Sequence, residues 1–443
     1  MKVEQFEDKN LSQFSYAILS ECERSIILID PARDIMPYLD YAAKQDAQIT
    51  GIIETHPHAD FVSGHLELHQ TTGATIYSSK LVEAAYPHQA FDDGDVIILG
   101  KMRLKARNTP GHSPDSISVV LEHEGRDVAV FTGDTLFIGD CGRPDLRETT
   151  GALTAKRGEL AIAMYHSLRN LATLDDHILV YPAHGAGTLC GKSLSEAKES
   201  TIGTEKSGNW SLQKISEDKF VEVLLDDQPF IPKYFSYDVE VNKQGAAALA
   251  PALAAVPREK PGQLDADIPV IDTRPERQFK QGHLPGAFNV QNGVRFETWL
   301  GSIIAPNERF YLVAENEKVL QEMIRRTAKI GYERFIALAF VCNGGSEVTL
   351  HFDLEKFRAH IDDFTIIDVR NSNEVGEYHL FKSALNIPLP ELRERAAEIP
   401  TDKPVVVHCA GGYRSAAGSS MLQRAFDSEV KVLDMGEAVN LFR

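Results

Sequence analysis

Residues 49–53 form an apolar run that reads as a buried strand. The polar turn after it carries His56, His58 and Asp60 within five positions. Imidazole and carboxylate groups at the end of a strand are held by a backbone that cannot relax when substrate binds, which is what a catalytic metal requires of its ligands. A lone histidine there would read as a satisfied core residue. Three ligand-type side chains in one turn read as a metal site.

The same arrangement recurs through the first half of the chain. Strands are predicted at 16–19, 25–29, 96–99, 102–106, 117–121 and 127–131, with a helix over 35–44. His112 follows Gly111, Asp134 follows Gly133, and His184 lies between Ala183 and Gly185, each at or just after a strand end. Polar residues at strand ends, with Gly or Pro to turn the chain, put several loops on one rim of a sandwich. One such residue would be a turn filler; four in the same pattern point to a shared site.

At 443 residues the chain is too long for one core, and two to three domains are expected. A net charge of −18 argues against nucleic-acid binding. No basic and apolar leader follows Met1, and no apolar run reaches the length of a membrane span. The cysteines Cys22, Cys141, Cys190, Cys342 and Cys409 are scattered and odd in number, which suits a reducing cytoplasm better than a disulfide framework. The run 185–193 mimics a phosphate-binding loop, but Ala186 stands where its first glycine belongs, so nucleotide binding is rejected.

The order HxHxD, then GH, then GD, then AHG resembles the metallo-β-lactamase superfamily, whose fold is an αββα sandwich with metal at one edge. Two-metal hydrolases of the glyoxalase II type carry a further histidine after the aspartate; here that position is Phe61, which cannot ligate, so a single metal is expected. The segment from Gly139 through Cys141, Gly142, Arg143 and Asp145 is similar to one in the persulfide dioxygenases. That resemblance implies one iron(II) held by His56, His112 and Asp134, with open positions for substrate and O₂. His58, Asp60 and His184 then stand behind the ligands and orient them or bound water. Arg143 either places the anionic substrate or serves as a structural ion-pair residue. Cys190 is read as a plain buried thiol, with a sulfur relay as the alternative.

Past Val239 the composition shifts to small residues and prolines, a linker or irregular connection, and beyond it lies a repeat. Val270-Ile271-Asp272-Thr273-Arg274 is echoed by Ile366-Ile367-Asp368-Val369-Arg370, and the Gly282–Val290 pattern returns over 378–387. The second copy runs from a strand at 404–407 into His408, Cys409, Ala410, Gly411, Gly412, Tyr413 and Arg414, then a helix over 416–425. Such a loop aims backbone N–H groups and a helix N-terminus at one sulfur, with Arg414 adding positive charge. The copy resembles the rhodanese family, which implies Cys409 as sulfur carrier, Gly411, Gly412 and Tyr413 as substrate-binding loop residues, and structural roles for Asp368 and Arg370. The first copy has Glu315 near the cysteine position and no glycine pair, so it is expected to be silent and used for packing or docking; Cys342 reads as core.

The expected architecture is α/β: a metallo-β-lactamase sandwich over 1–240, a connection over 241–264, a rhodanese-like domain lacking the catalytic cysteine over 265–348 and an active one over 349–443, the last two with mainly parallel sheets. The expected activity is oxidation of a thiol persulfide (glutathione, coenzyme A or a similar carrier) with O₂ to sulfite, then transfer of sulfane sulfur through Cys409 to make thiosulfate. The alternative is a zinc thioester hydrolase fused to a rhodanese. A homo-oligomer is expected, as for most soluble enzymes.

Overall fold

Strand Gln13–Ser20 alternates in the way a strand buried on both faces must. Phe14, Tyr16 and Ile18 point into a cluster with Met102, Leu104, Val119, Leu121 and Phe131, which come from a second sheet. Ala17 and Leu19 point the other way, against Tyr38 and Tyr41 of helix Met36–Lys44 and Leu68 of helix His65–Thr72. On the second sheet Val120 and Val130 turn outward to pack on Ala161, Met164 and Leu168 of helix Arg157–Leu171 and on Phe220 of helix Glu217–Leu225. The layers are therefore helix, sheet, sheet, helix. Truncating a ring such as Phe131 to alanine in the central layer would cost about 3–5 kcal/mol.

This computed structural model describes residues 1–146, 156–192, 194–426 and 428–443; Ser193, the last residue of the rejected loop motif, lies outside them. The chain divides into two units, one of Met1–Pro251 with Lys329–Gly331 and one of Ala252–Ala328 with Tyr332–Arg443. In the first, two six-stranded sheets face each other. One begins with an antiparallel meander (Lys2–Asp8, Gln13–Ser20, Ser25–Ile29) and continues in parallel through Gln48–Ile53, Thr75–Ser78 and Gln89–Ala90. The other is antiparallel from Val96–Leu99 through Met102–Asn108, Ile117–His123 and Arg126–Gly133, then takes Leu179–Pro182 in parallel and ends on the short antiparallel Ser200–Thr201.

The second unit contains two four-stranded sheets with identical strand order. In the first copy Ala287–Asn289, Val270–Asp272, Phe310–Ala314 and Ile336–Val341 lie side by side; in the second, Leu385–Asn386, Thr365–Asp368, Val405–His408 and Val432–Asp434 do. Every pairing in both is parallel. The Asp-x-Arg signature has the same job twice. Arg274 donates to Asp272 from Nε at 2.9 Å and Nη2 at 2.6 Å, and Arg370 to Asp368 at 3.0 and 2.6 Å. Asn289 and Asn386 each donate to the two carbonyls of their own Asp-x-Arg turn.

The connection after Val239 is less irregular than its composition implies. Helix Phe235–Gln244 runs into its start, and Leu249–Ala254 forms a short helix with Leu249 and Leu253 buried. Two leucines four residues apart in an alanine-rich run give one apolar helical face, which outweighs Pro251 in the first turns. Among the described residues no helix is long and apolar enough to cross a membrane.

Candidate active sites

Strand Gln48–Ile53 carries Ile52 and Ile53 into two different cores, which fixes where the chain leaves the sheet and where His56 and His58 begin. The loops after Asn108, Gly133 and Pro182 arrive at the same edge. His56, His112 and Asp134 converge so that one ligand atom from each lies within 4.8 Å of the others, and His58, Asp60 and His184 form a second such group. Asp134 faces both: Oδ2 is 3.8 Å from His56 Nε2 and 3.5 Å from His112 Nε2, while Oδ1 is 3.5 Å from His184 Nε2. All six side chains are buried.

These separations are too long for hydrogen bonds and close to the edge between two ligands that share an ion at about 2.1 Å. Both oxygens of Asp134 and Oδ1 of Asp60 are buried and accept no hydrogen bond among the described residues. A carboxylate stripped of water and left without donors costs several kcal/mol, of order 1–3 per unmet hydrogen-bonding group and more when charged, unless a cation offsets it. The residues present therefore fit a metal ion.

Backbone carbonyls set the imidazoles. His112 Nδ1 donates to the Arg143 carbonyl at 2.9 Å and His184 Nδ1 to the Ser12 carbonyl at 3.2 Å. A carbonyl only accepts, so each ring carries its proton on Nδ1 and turns the Nε2 lone pair toward the cluster. Thr55 Oγ1 lies 3.1 Å from His56 Nδ1, and Thr55 is in turn fixed on Asp30 through its N–H at 2.7 Å and its hydroxyl at 2.8 Å. His58 Nε2 is 3.2 Å from Asp30 Oδ1. Burial pushes the His112 imidazole down despite the nearby Asp134 charge, so it is neutral, as a ligand must be. For His184 burial also lowers, but the charges of Asp134 and Asp60 outweigh it and raise the imidazole well above its usual value, so those two carboxylates keep a proton on Nε2 until a cation offsets their charge and frees the lone pair. Burial would raise Asp60, yet His184 and His58 pull it below the ordinary carboxylate range.

Phe61 is fully buried and lies over His58, ring centroids 4.3 Å apart, with the His184 ring at 6.4 Å. An apolar ring thus fills one side of the second group. Gly142 explains its own place in the loop: a Cβ there would come 1.9 Å from the Asp134 carbonyl oxygen and 3.1 Å from His112 Cβ. Arg143 is buried and its guanidinium donates to both carboxylate oxygens of Asp145 at 2.7 Å. Its link to the cluster runs through its carbonyl, which receives His112 Nδ1.

Two groups, Asp30 and Glu54, went unread in the sequence, and Cys190, read there as a buried thiol, lies closer to the cluster than expected. Cys190 offers its sulfur within 4.8 Å of Asp134 and His184, where burial raises its thiol far above the usual value. Asp30 and Glu54 form a further group with His58, and burial together with the Asp30 charge pushes the Glu54 carboxyl well up. Asp30 ends strand Ser25–Ile29 in the way the other cluster residues end theirs, which was the available signal.

In the second unit, strand Val405–His408 delivers Cys409 directly to the N-terminus of helix Tyr413–Ala425. Cys409 is buried, and the Gly412 N–H donates to its sulfur at 3.1 Å. Ser415 Oγ donates to the Gly412 carbonyl at 3.0 Å and so pins the turn from the helix side. Gly411 is exposed at the loop's outer face. Arg414 is not an isolated charge: it makes two hydrogen bonds to Glu374, at 2.5 and 2.7 Å. In the first copy Glu315 follows strand Phe310–Ala314 just as Cys409 follows its own strand.

A four-layer sandwich with a buried histidine and aspartate cluster at one edge defines a class of metal-dependent enzyme. Residues 11–184 match the metallo-beta-lactamase superfamily, and residues 258–347 and 353–437 match the rhodanese-like domain. A solved metallo-beta-lactamase from Staphylococcus aureus subsp. aureus COL is 30% identical with a TM-score of 0.69, over 77% of this chain and 98% of that one. The mitochondrial persulfide dioxygenase ETHE1 of Bos taurus is 29% identical over 245 residues, 53% of this chain and 84% of that protein. The probable polyketide biosynthesis zinc-dependent hydrolase BaeB of Bacillus velezensis is 27% identical over 197 residues, 43% of this chain and 81% of that protein. The chain belongs to the metallo-β-lactamase superfamily and carries two rhodanese-like domains after that fold.

Proposed function

We propose that the chain couples a one-iron persulfide dioxygenase site to a thiosulfate-forming sulfur carrier. The observation that carries this reading is the union, in one chain, of a buried His56, His112 and Asp134 set beside Phe61 with a Cys409 loop built to hold an anionic sulfur. Two histidines and one carboxylate make the facial set of non-haem iron oxygenases. Iron(II), when bound, supplies the redox partner that ground-state O₂ needs to react with a closed-shell thiol derivative, which zinc cannot.

The first reaction balances as RSSH + O₂ + H₂O → RSH + SO₃²⁻ + 2H⁺. Around it, the carbonyls of Arg143 and Ser12 hold His112 and His184 in the tautomer that presents Nε2. In the second, the Cys409 thiolate attacks the outer sulfur of a persulfide, the S–S bond breaks and RS⁻ leaves. Sulfite then takes that sulfur from the Cys409 persulfide, giving S₂O₃²⁻ and regenerating the thiolate. The Gly412 N–H and the helix N-terminus stabilise negative charge on the sulfur in each state. The likeness to a persulfide dioxygenase supports the substrate class, with glutathione or coenzyme A as carrier thiols, and the cysteine usage supports the cytoplasm.

Anaerobic reconstitution with iron(II), then O₂ uptake on adding glutathione persulfide, tests the scheme. Sulfite and thiosulfate should both appear, and Cys409→Ser should lose thiosulfate while keeping sulfite; loss of both in that variant would sink the two-site scheme. A second reading, a two-zinc thioester hydrolase, is favoured by the His58, Asp60 and His184 group standing beside Asp134. Two zincs per chain and thioester cleavage without O₂ uptake would select it.

A further inference from the structure

The copy without a loop cysteine reaches into the Cys409 loop of its sister. Tyr413, the residue after the N–H donor Gly412, donates its hydroxyl proton to the Gln291 carbonyl of the first copy at 2.6 Å. Its ring lies over Gly293, where a Cβ would come 2.6 Å from the ring edge, so only glycine leaves room for it. That receiving segment is itself fixed: Arg326 donates to the Gly293 carbonyl at 2.7 Å and to Asn292 Oδ1 at 2.6 Å, and its guanidinium is anchored on the buried Glu297 at 2.5 Å. The next loop residue, Arg414, lies with its guanidinium 5.7 Å from the centre of the Trp299 ring, again from the first copy.

We propose that the silent copy is a positioning element of the sulfur site, with Gly293 and Trp299 seating Tyr413 and Arg414 so that the Gly412 N–H stays on Cys409 Sγ. Tyr413 is then a positioning residue, not a substrate contact. This rests on Cys409 being the sulfur carrier. Duplication followed by loss of the nucleophile leaves a domain whose remaining task is to hold the loop from the side that the active copy cannot reach.

Tyr413→Phe removes only the tether and keeps the ring; Gly293→Ala pushes the ring from its seat. In the full-length protein, the rate of Cys409 alkylation by iodoacetamide is measured against pH by peptide mass spectrometry, alongside thiosulfate formation. Loss of ordering at one N–H to a charged sulfur predicts alkylation about three- to tenfold slower at neutral pH in both variants, with the profile displaced to higher pH. The kcat for thiosulfate should fall by a similar factor with KM unchanged, and sulfite formation and melting temperature should stay at the parent values. Parent alkylation profiles in both variants would overturn the proposal. So would a fall in alkylation that tracks a lowered melting temperature, since that marks a packing defect. If the parent Cys409 takes up no sulfane sulfur, the carrier reading fails, while the alkylation profile still reports on the tether.

Discussion

Arg414 and Glu374 meet in a two-bond ion pair, with Nη1 2.5 Å and Nη2 2.7 Å from the two carboxylate oxygens. Glu374 also accepts from the Asn371 N–H at 3.0 Å as part of a capping box on helix Ser372–Glu377. The positive charge beside the sulfur loop is therefore matched by a negative one, and the main stabiliser of a Cys409 anion becomes the backbone. Burial would raise the Glu374 carboxyl, but Arg414 outweighs it and holds it below its ordinary value.

Glu374→Gln should make Cys409 more reactive, because the guanidinium then acts on the sulfur without its counter-charge. We expect alkylation about threefold faster at neutral pH, with a stability loss of about 1 kcal/mol from the weakened cap and partly exposed pair. Because the folded pKa of Glu374 is depressed, the pair's contribution is present at neutral pH and fades as pH falls through that lowered value. Slower alkylation in the variant would show that the pair serves to place the loop and not to temper its charge.

Gly142→Ala should empty the metal site without unfolding the sandwich. The added methyl would strike the Asp134 carbonyl at 1.9 Å and press His112 at 3.1 Å. Metal affinity should fall at least about tenfold, the cost typical of displacing groups that orient ligands. Gly158→Ala, whose methyl meets nothing within 4 Å among the described residues, is the control. Iron content after dialysis against a chelator is the measurement, and equal retention in both variants would refute the steric account.

Phe61→His tests the single-metal reading. The Phe61 ring stands 4.3 Å from that of His58, beside Asp60 and His184. A nitrogen ligand in its place should carry zinc content from one toward two per chain. If the parent already binds two zincs, or the variant still binds one, Phe61 is not what sets the number.

His65 should make the first unit acid-sensitive. Burial, with His58 and Arg33 nearby, pushes its imidazole down to about 3, while the unfolded chain titrates it near 6.5. The unfolded state therefore binds the extra proton first, and stability falls as pH drops below about 6.5, by up to about 1.4 kcal/mol per pH unit. His65→Gln should flatten that slope between pH 6.5 and 5 by up to one proton. Denaturant titration followed through Trp210, in a Trp299→Phe background, reads it; an unchanged slope would place the titration elsewhere.

The fold was legible where side-chain chemistry repeats along the chain. An apolar run such as Tyr16–Leu19 in strand Gln13–Ser20, ligand-type residues at successive strand ends, and the doubled Asp-x-Arg turn are all properties of residue type and spacing. Cys409 before a glycine pair and a helix was readable for the same reason. Within the small-residue stretch after Val239, composition reads as a connection, and burial of Leu249 and Leu253 adds a short helix to it that composition alone does not show.

What the sequence determined by itself is the set of groups able to do chemistry and the elements that carry them, since both depend on side-chain identity and local periodicity. Tertiary structure decided which atoms face one another. The Arg143 and Ser12 carbonyls that orient His112 and His184, and the Gln291 carbonyl that receives Tyr413, carry no sequence signature because every residue has a carbonyl. The pairing of Arg414 with Glu374 across 40 positions likewise exists only once the sheet has closed, because long-range proximity is set by packing and not by spacing along the chain.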